Sequence, residues 1–524
     1  MTPLPNPEFW SVRKPVVQAA GGLVASQHYL ASEVGARVLA DGGNAVDAAV
    51  ATGLAIGCVE PWMSGIGGGG YMLVAPAGSD AVYAVDFGMV APRGLDPADY
   101  PLAEDAAGDL FGWPGVVDDR NIHGYRSIAV PGHVAGMALA LERFGSRSWA
   151  DSLAPAIELA ERGMQIDWYA ALMIAGAAAI LRRYETTAAT YLADGLPPVP
   201  DWQGNPAQLR LGNLARTLRR LAEAGPRDFY EGEVARQLVD DARAGGSTLD
   251  AGDLAAYHAQ VVEAEAFDYR DARIFAAPGL TAGPTLRHVL QRLNATPLPG
   301  GQAPGAEAYA AYAEALFEAY AVRLASMGDA DETVAPSCTT HLSVVDRDGN
   351  MVALTQTLLS LFGSRVMLPE TGILMNNGIM WFDPRPGRPN SIAPGKRPLS
   401  NMCPTVARRG DGFRFALGAS GGRRIMPAIA QLTSFLVDYG MELDEAVHQP
   451  RIDVSGTDTI AADARLDAAV TERLAAGHPV RRVSHGVYPP LFACPNVVGR
   501  QPGGGNMGAA FVMSPWARVV AEGA

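Results

Sequence analysis

The periodicity of apolar residues changes once along this 524-residue chain, at Cys338, and that change limits the folds open to it more than any other feature. Before it, HVAGMALALERFG, WADSLAPAIELAERG, NLARTLRRLAEAG and GEVARQLVDDARAGG each carry an apolar stripe at helical spacing with glycine at the end. Nearer the start, the residues from Ala31 to Gly57 read as two helices joined at Gly42-Gly43, and the glycine-rich run from Ser64 to Gly70 leads into the alternating strand text YMLVAP. A long helix, GAEAYAAYAEALFEAYAVRLASMGD, is followed by DADETVAPSC, which reads as an exposed polar linker. After Cys338 the text alternates: THLSVV, a turn at Asp348-Gly349, then NMVALTQT form a hairpin signal, and TGILMNN, TVARR and FRFALGAS read as further strands. Helical text followed by strand text, with no repeat, predicts one α+β unit whose sheets are covered by helices.

Composition narrows the function classes. The net charge is -14 and no Lys/Arg run is present, so nucleic acid is not expected as a partner. Four scattered cysteines, Cys58, Cys338, Cys403 and Cys494, form neither a disulfide framework nor a C-x-x-C pair, and no metal is expected. The start of the chain lacks an apolar segment of signal-peptide type, which predicts a cytoplasmic protein. The most apolar stretch, Tyr169 to Leu181, is shorter than the roughly 18 residues of a membrane span and reads as a buried helix.

A polar linker that ends at Cys338 and gives way to Thr339-Thr340-His341 and a strand is what a self-processing threonine nucleophile requires. The tripeptide alone favours an ordinary strand. Eight blocks in order change that balance: GGNAVDAAVA, EPWMSGIGGGGYMLV, DFGMVAP, VPGHVAG, TTHLSVVDRDGNMVALTQTLLSLFGS, TGILMNN, GKRPLSNMCPT and GASGGRRI. With them the chain resembles the γ-glutamyltransferases over nearly its whole length.

The resemblance implies an Ntn-hydrolase fold, an αββα four-layer sandwich, and cleavage between Cys338 and Thr339. The products would be a large fragment, residues 1–338, and a small fragment, residues 339–524, which stay associated as one structural unit; a homodimer of that processed heterodimer is left open. No cofactor is implied, and the partner is a small-molecule amide. Thr339 would be the nucleophile, with its own freed α-amine as base at a reference pKa near ~7.7 to 8.0. Thr357 would orient Thr339, Gly421 and Gly422 would form the oxyanion hole, and Ser400 with Asn401 would stand at the family's substrate-binding serine pair. From the residues alone, Thr357 is equally a cross-strand threonine and Gly421-Gly422 a tight turn. The glycines from Gly67 to Gly70 lack the lysine and spacing of a phosphate loop and are assigned structure only.

The chain also departs from the family. Gly88 stands where an arginine holds the substrate's α-carboxylate, Trp381 where an acidic residue takes its α-ammonium, Gly378 where a glutamine stands, and Leu359 where an asparagine stands. Leaving either substrate charge unpaired would cost about 1 to 3 kcal/mol or more, so γ-glutamyl recognition is expected to be weak. Arg423, after the oxyanion glycines, and Arg365 are candidate cations for a differently placed carboxylate, each equally readable as a surface arginine. Trp381 and Leu359 favour an apolar acyl chain, whereas Arg423 or Arg365 would suit a small anion such as oxamate. The expectation is therefore an autoproteolytic amidohydrolase on an acyl amide, with an altered pocket similar to that of the family's oxamate amidohydrolase or cephalosporin and glutaryl acylase members. The alternatives are a true γ-glutamyltransferase or glutathione hydrolase, an oxamate amidohydrolase, an uncleaved scaffold and, most remotely, a nucleotide-binding enzyme.

Overall fold

A computed structural model describes residues 13–103, 113–326, 337–455, 458–484, 486–488 and 491–524. The strands that matter here are β1 (Val17–Ala19), β2 (Leu23–Ser26), β3 (Gly69–Ala75), β4 (Tyr83–Phe87), β5 (Gln260–Glu263), β6 (Glu265–Tyr269), β7 (Ala272–Ala276), β8 (Ser337–Val345), β9 (Met351–Ser360), β10 (Thr405–Arg408), β11 (Arg414–Ser420), β12 (Cys494–Arg500), β13 (Asn506–Ala510) and β14 (Arg518–Ala521). They form two seven-stranded sheets, in the orders β1-β13-β12-β11-β10-β7-β6 and β14-β2-β8-β9-β3-β4-β5. The sheets pack face to face. Asn496 on β12 reaches across to the His341 carbonyl on β8 (2.7 Å), and a Cβ on Gly418 would lie 2.2 Å from the His341 ring.

Helices cover both outer faces. α1 (Tyr29–Ala40), α2 (Ala45–Val59), α3 (His133–Phe144), α4 (Trp149–Arg162) and α5 (Trp168–Leu181) belong to the core on the β8 side, and α6 (Gly283–Asn294), α7 (Ala306–Ser326) and α8 (Ile425–Val437) to the core on the β11 side. The GGNAVDAAVA block is a capping box: Asn44 Oδ1 accepts from the Val46 and Asp47 amides, and Asp47 Oδ2 accepts from the Asn44 amide at 2.9 Å. Every residue of α2 is buried, as expected for a predominantly apolar helix wedged between a sheet and other helices. Among the described residues no helix is long and apolar enough to cross a membrane, and Tyr169 to Leu181 lie in a helix, α5, that is buried on one face with Ala175, Gly176 and Ala179 exposed on the other.

Three sequence expectations change. TGILMNN, residues 371–377, contributes only a single bridge, Met367↔Leu374, because its backbone folds back on residues 364–368 in a tight loop instead of joining a sheet. The region read as helical also holds the edge strands β5 and β6 and their short neighbour β7, whose polar residues mask the alternation. The linker DADETVAPSC lies largely outside the described residues, and its last two residues, Ser337 and Cys338, already belong to β8.

Candidate active site

β8 and β9 pair in register from Val345↔Met351 to Thr340↔Gln356 and resume at Cys338↔Leu359. Thr357 and Leu358 therefore both lie opposite the single residue Thr339, a bulge of the kind that re-aims a side chain beside an active site. There the Thr339 hydroxyl donates to Thr357 Oγ1 at 3.3 Å, and the Leu359 amide donates to the same oxygen at 2.8 Å. Leu359 sits at φ 91°, a region costly for a branched side chain, so the end of β9 holds strain next to the nucleophile. Both threonines are buried.

The glycine run shapes this strand from the other side. A Cβ on Gly68 would lie 2.2 Å from the Thr357 carbonyl oxygen, and one on Gly70 would lie 2.3 Å from that of Thr355. The glycines permit the close backbone approach that places β3 against β9.

Gly421 and Gly422 follow β11 and open the turn into α8, with φ values of 139° and 58° that disfavour side chains. A Cβ on Gly421 would also meet Ala493 Cα at 2.9 Å. Amides at a helix entrance favour a developing negative charge. Gln27 connects this turn to the nucleophile's strand: its Nε2 donates to Ser420 Oγ at 2.6 Å and its Oε1 accepts from the His341 amide at 3.1 Å.

The histidine of the Thr-Thr-His run is not a base. Its ring nitrogens pair with Thr355 Oγ1 (2.8 Å) and Ser343 Oγ (2.9 Å), and burial pushes its pKa down to about 3. On the helix-facing side of β8, the Thr340 hydroxyl donates to Glu60 Oε2 at 3.2 Å. Burial pushes the Glu60 carboxyl up to about 8, against the smaller pull of that hydrogen bond, which keeps it protonated at neutral pH.

The remaining candidates divide. Ser400 and Asn401 are buried and propped from behind by Arg323, whose Nη2 donates to the Ser400 carbonyl (2.8 Å) and Asn401 Oδ1 (3.1 Å). Trp381 and Leu359 join Met89, Met380, Trp113 and Tyr71 in one buried apolar cluster. The Arg423 guanidinium carbon lies 5.1 Å from the centre of the Trp113 ring, so Arg423 borders that cluster. Arg365 is placed otherwise: its Nη1 donates to Ser360 Oγ (2.7 Å), the Ile122 carbonyl (3.1 Å) and the Gly363 carbonyl. It braces the loop after β9, together with Asn377, which donates to the same Ile122 carbonyl (2.7 Å) and Ser360 hydroxyl (2.8 Å). Cys338 contributes the backbone carbonyl ahead of Thr339. No cluster of metal-ligating side chains is present among the described residues.

Gln27, Glu60 and Arg323 were not singled out from the sequence. Gln27 and Ser420 are 393 residues apart, and no local pattern links such a pair. Glu60 had a signal, an acidic residue heading the EPWMSGIGGGGYMLV block at the end of a predominantly apolar helix.

Comparison with known proteins agrees with this geometry. The family model described as gamma-glutamyltranspeptidase matches residues 31–338 and 330–489. An acylase ACY 1 proenzyme of Pseudomonas sp. (strain SE83) is 33% identical, over 97% of this chain and 95% of the relative. A glutathione hydrolase proenzyme of Bacillus subtilis (strain 168) is 32% identical, over 85% of this chain and 83% of the relative. Among solved structures, the cephalosporin acylase from Bacillus halodurans superposes with a TM-score of 0.84, covering 99% of both chains at 24% identity, and shares the four-layer Ntn-hydrolase fold. The chain is an autoprocessing amide hydrolase of the Ntn class and belongs to the γ-glutamyltranspeptidase family.

Proposed function

We propose that this enzyme cleaves itself between Cys338 and Thr339 and then hydrolyses an acyl amide whose acyl chain is largely apolar, in preference to ordinary γ-glutamyl compounds. In maturation the Thr339 hydroxyl attacks the Cys338 carbonyl carbon, the C–N bond breaks as the ester forms, and water hydrolyses the ester to leave a free α-amine. In turnover that amine takes the hydroxyl proton as Oγ1 attacks the substrate carbonyl. The Gly421 and Gly422 amides receive the oxyanion, the protonated amine passes its proton to the leaving nitrogen, and water releases the acid from Thr339. Thr357 orients the nucleophile, and Ser400 and Asn401 contact the substrate. The fragments stay together because β9 and the part of β8 from Thr339 onward, both from the small fragment, are flanked in one sheet by β2 and β3 from the large one.

The observation that carries the acyl preference is the apolar cluster of Leu359, Met89 and Trp381 beside the nucleophile, combined with glycine at position 88. The 33% identity to a protein named as an acylase supports the same reading. An oxamate-type reading loses Arg365, whose guanidinium is committed to the loop after β9. An amide panel tests the proposal: alkanoyl and glutaryl p-nitroanilides should be turned over faster than γ-glutamyl-p-nitroanilide and oxamate. If γ-glutamyl-p-nitroanilide is the best substrate, the chain is a glutathione hydrolase type and the acyl reading is wrong.

A further inference from the structure

β2 stops one residue short of the position its neighbour needs. Its last pair with β8 is Leu342↔Ser26, so the next residue, Gln27, would face His341 if the strand continued. In an antiparallel ladder the N–H and C=O of one residue point to the same neighbour, so the end of β2 would leave both groups of the buried His341 unpaired. Two side chains replace the missing strand. The His341 amide donates to Gln27 Oε1 at 3.1 Å, and its carbonyl accepts from Asn496 Nδ2 at 2.7 Å.

The other end of Gln27 is committed as well. A backbone N–H only donates, so the His341 bond fixes which end of the carboxamide is oxygen, and Nε2 faces Ser420 Oγ, to which it donates at 2.6 Å. Ser420 is the last residue of β11 and precedes Gly421, while His341 stands two residues after Thr339. Gln27 is 3% exposed, and both of its partners are buried, so neither bond competes with water. The turn from Gly422 to Arg424 lies against β8. One carboxamide from the large fragment therefore joins the strand that carries the nucleophile to the turn that carries the oxyanion glycines, at the place where the sheet ladder has ended.

We propose that Gln27 is a positioning residue for catalysis: by holding the His341 amide and the Ser420 hydroxyl it sets the distance between Thr339 Oγ1 and the amides of Gly421 and Gly422. The role rests on the nucleophile and oxyanion assignments proposed above. The substrate's carbonyl carbon bonds to Thr339 Oγ1 while its oxygen must reach those amides. A shift of about 1 Å between strand and turn thus weakens the transition state and leaves ground-state binding nearly untouched.

The test uses matured enzyme with pentanoyl-p-nitroanilide as substrate, butylboronic acid as a mimic of the tetrahedral intermediate and pentanoate as a mimic of the product. With the boronic acid a Thr339 Oγ1–boron bond forms, the hydroxyl proton passes to the α-amine, and a boron-bound oxygen takes the oxyanion position. Gln27→Met keeps the length of the side chain and removes both polar atoms. It should lower kcat about ten- to fiftyfold with KM within about twofold, weaken butylboronic acid by a similar factor and leave pentanoate inhibition within about twofold. Ser420→Ala releases only the turn and should lower kcat and boronic acid affinity together, about three- to tenfold, so it decides the matter if Gln27→Met fails to mature. A merely structural bond would change the matured yield or Tm but leave kcat per matured molecule, and the ratio of butylboronic acid to pentanoate affinity, at the parent's values. That result would overturn this inference and leave the nucleophile and oxyanion assignments standing. A parent that butylboronic acid does not inhibit would overturn both.

Discussion

Replacing Thr357 by valine keeps the shape of the strand and removes an oxygen that accepts from the Thr339 hydroxyl at 3.3 Å and the Leu359 amide at 2.8 Å. The first loss frees the nucleophile's rotamer, and the second orphans an N–H on a residue only 2% exposed. An unsatisfied buried donor costs about 1 to 3 kcal/mol. Because Leu359 is already at φ 91°, that cost falls on a strand end with strain to release, and this end of β9 is expected to relax away from Thr339. If the transition state bears most of it, the rate falls by about ten- to a hundredfold. Maturation is followed by gel after expression at low temperature, and kcat is then measured per matured molecule. Thr357→Val should mature slowly and turn over about ten- to a hundredfold slower, while Thr357→Ser, which restores the oxygen, should stay within about threefold of the parent. Thr357→Val with the parent's maturation and kcat would refute the role given to this hydroxyl.

Gly421→Ala should cut kcat by about a hundredfold or more, since a Cβ there meets Ala493 Cα at 2.9 Å and φ is 139°, which moves an amide assigned to the oxyanion; steady-state kinetics on matured protein check this. Glu60 has a folded-state pKa near 8, above its ordinary value of 4.5. It therefore stabilises the fold relative to the unfolded chain most fully below about pH 4.5, and this contribution is lost as pH rises to about 8, by an amount on the order of 4 kcal/mol. Glu60→Gln should flatten that fall, so the difference between melting temperatures at pH 5 and pH 8 should shrink; an unchanged difference would show that Glu60 does not set it. Gly88→Arg alone should not raise γ-glutamyl-p-nitroanilide turnover, because the new side chain starts 2.7 Å from the Tyr71 hydroxyl, whereas the same change with Tyr71→Phe and Trp381→Asp should raise it about tenfold. A gain in the single variant would contradict the packing argument.

The parts of the site that were legible in the sequence are those carried by local chemistry. The hairpin of β8 and β9 follows from alternation around Asp348-Gly349, and the α1–α2 turn from the Gly42-Gly43 break between two helical apolar stripes. Gly421 and Gly422 are readable locally as a tight turn, since glycine suits their dihedral angles, while their oxyanion role comes only from the family resemblance; the glycine run is readable because β3 must touch β9. Long-range partners were not legible. Nothing near Arg323 in the chain announces that it supports Ser400, and nothing near Arg397 announces that it lies against Gly88, 309 residues away. Arg365 shows the converse: its sequence position after Phe362-Gly363-Ser364 suited a substrate cation, but the end of β9 and the loop after it, with Leu359, Phe362 and Arg365 all at positive φ, need an internal brace, and that guanidinium supplies it.

The central claim is that Thr339 becomes the N-terminal residue and acts as the nucleophile. N-terminal sequencing and intact mass of freshly matured protein test it most directly. The account predicts two associated fragments of 338 and 186 residues (524 − 338 = 186), the smaller beginning Thr-Thr-His-Leu, with Thr339→Ala remaining one chain of 55.0 kDa and Thr339→Ser cleaving slowly. A single 55.0 kDa chain that hydrolyses acyl amides, or a new N-terminus at any residue other than Thr339, would contradict it.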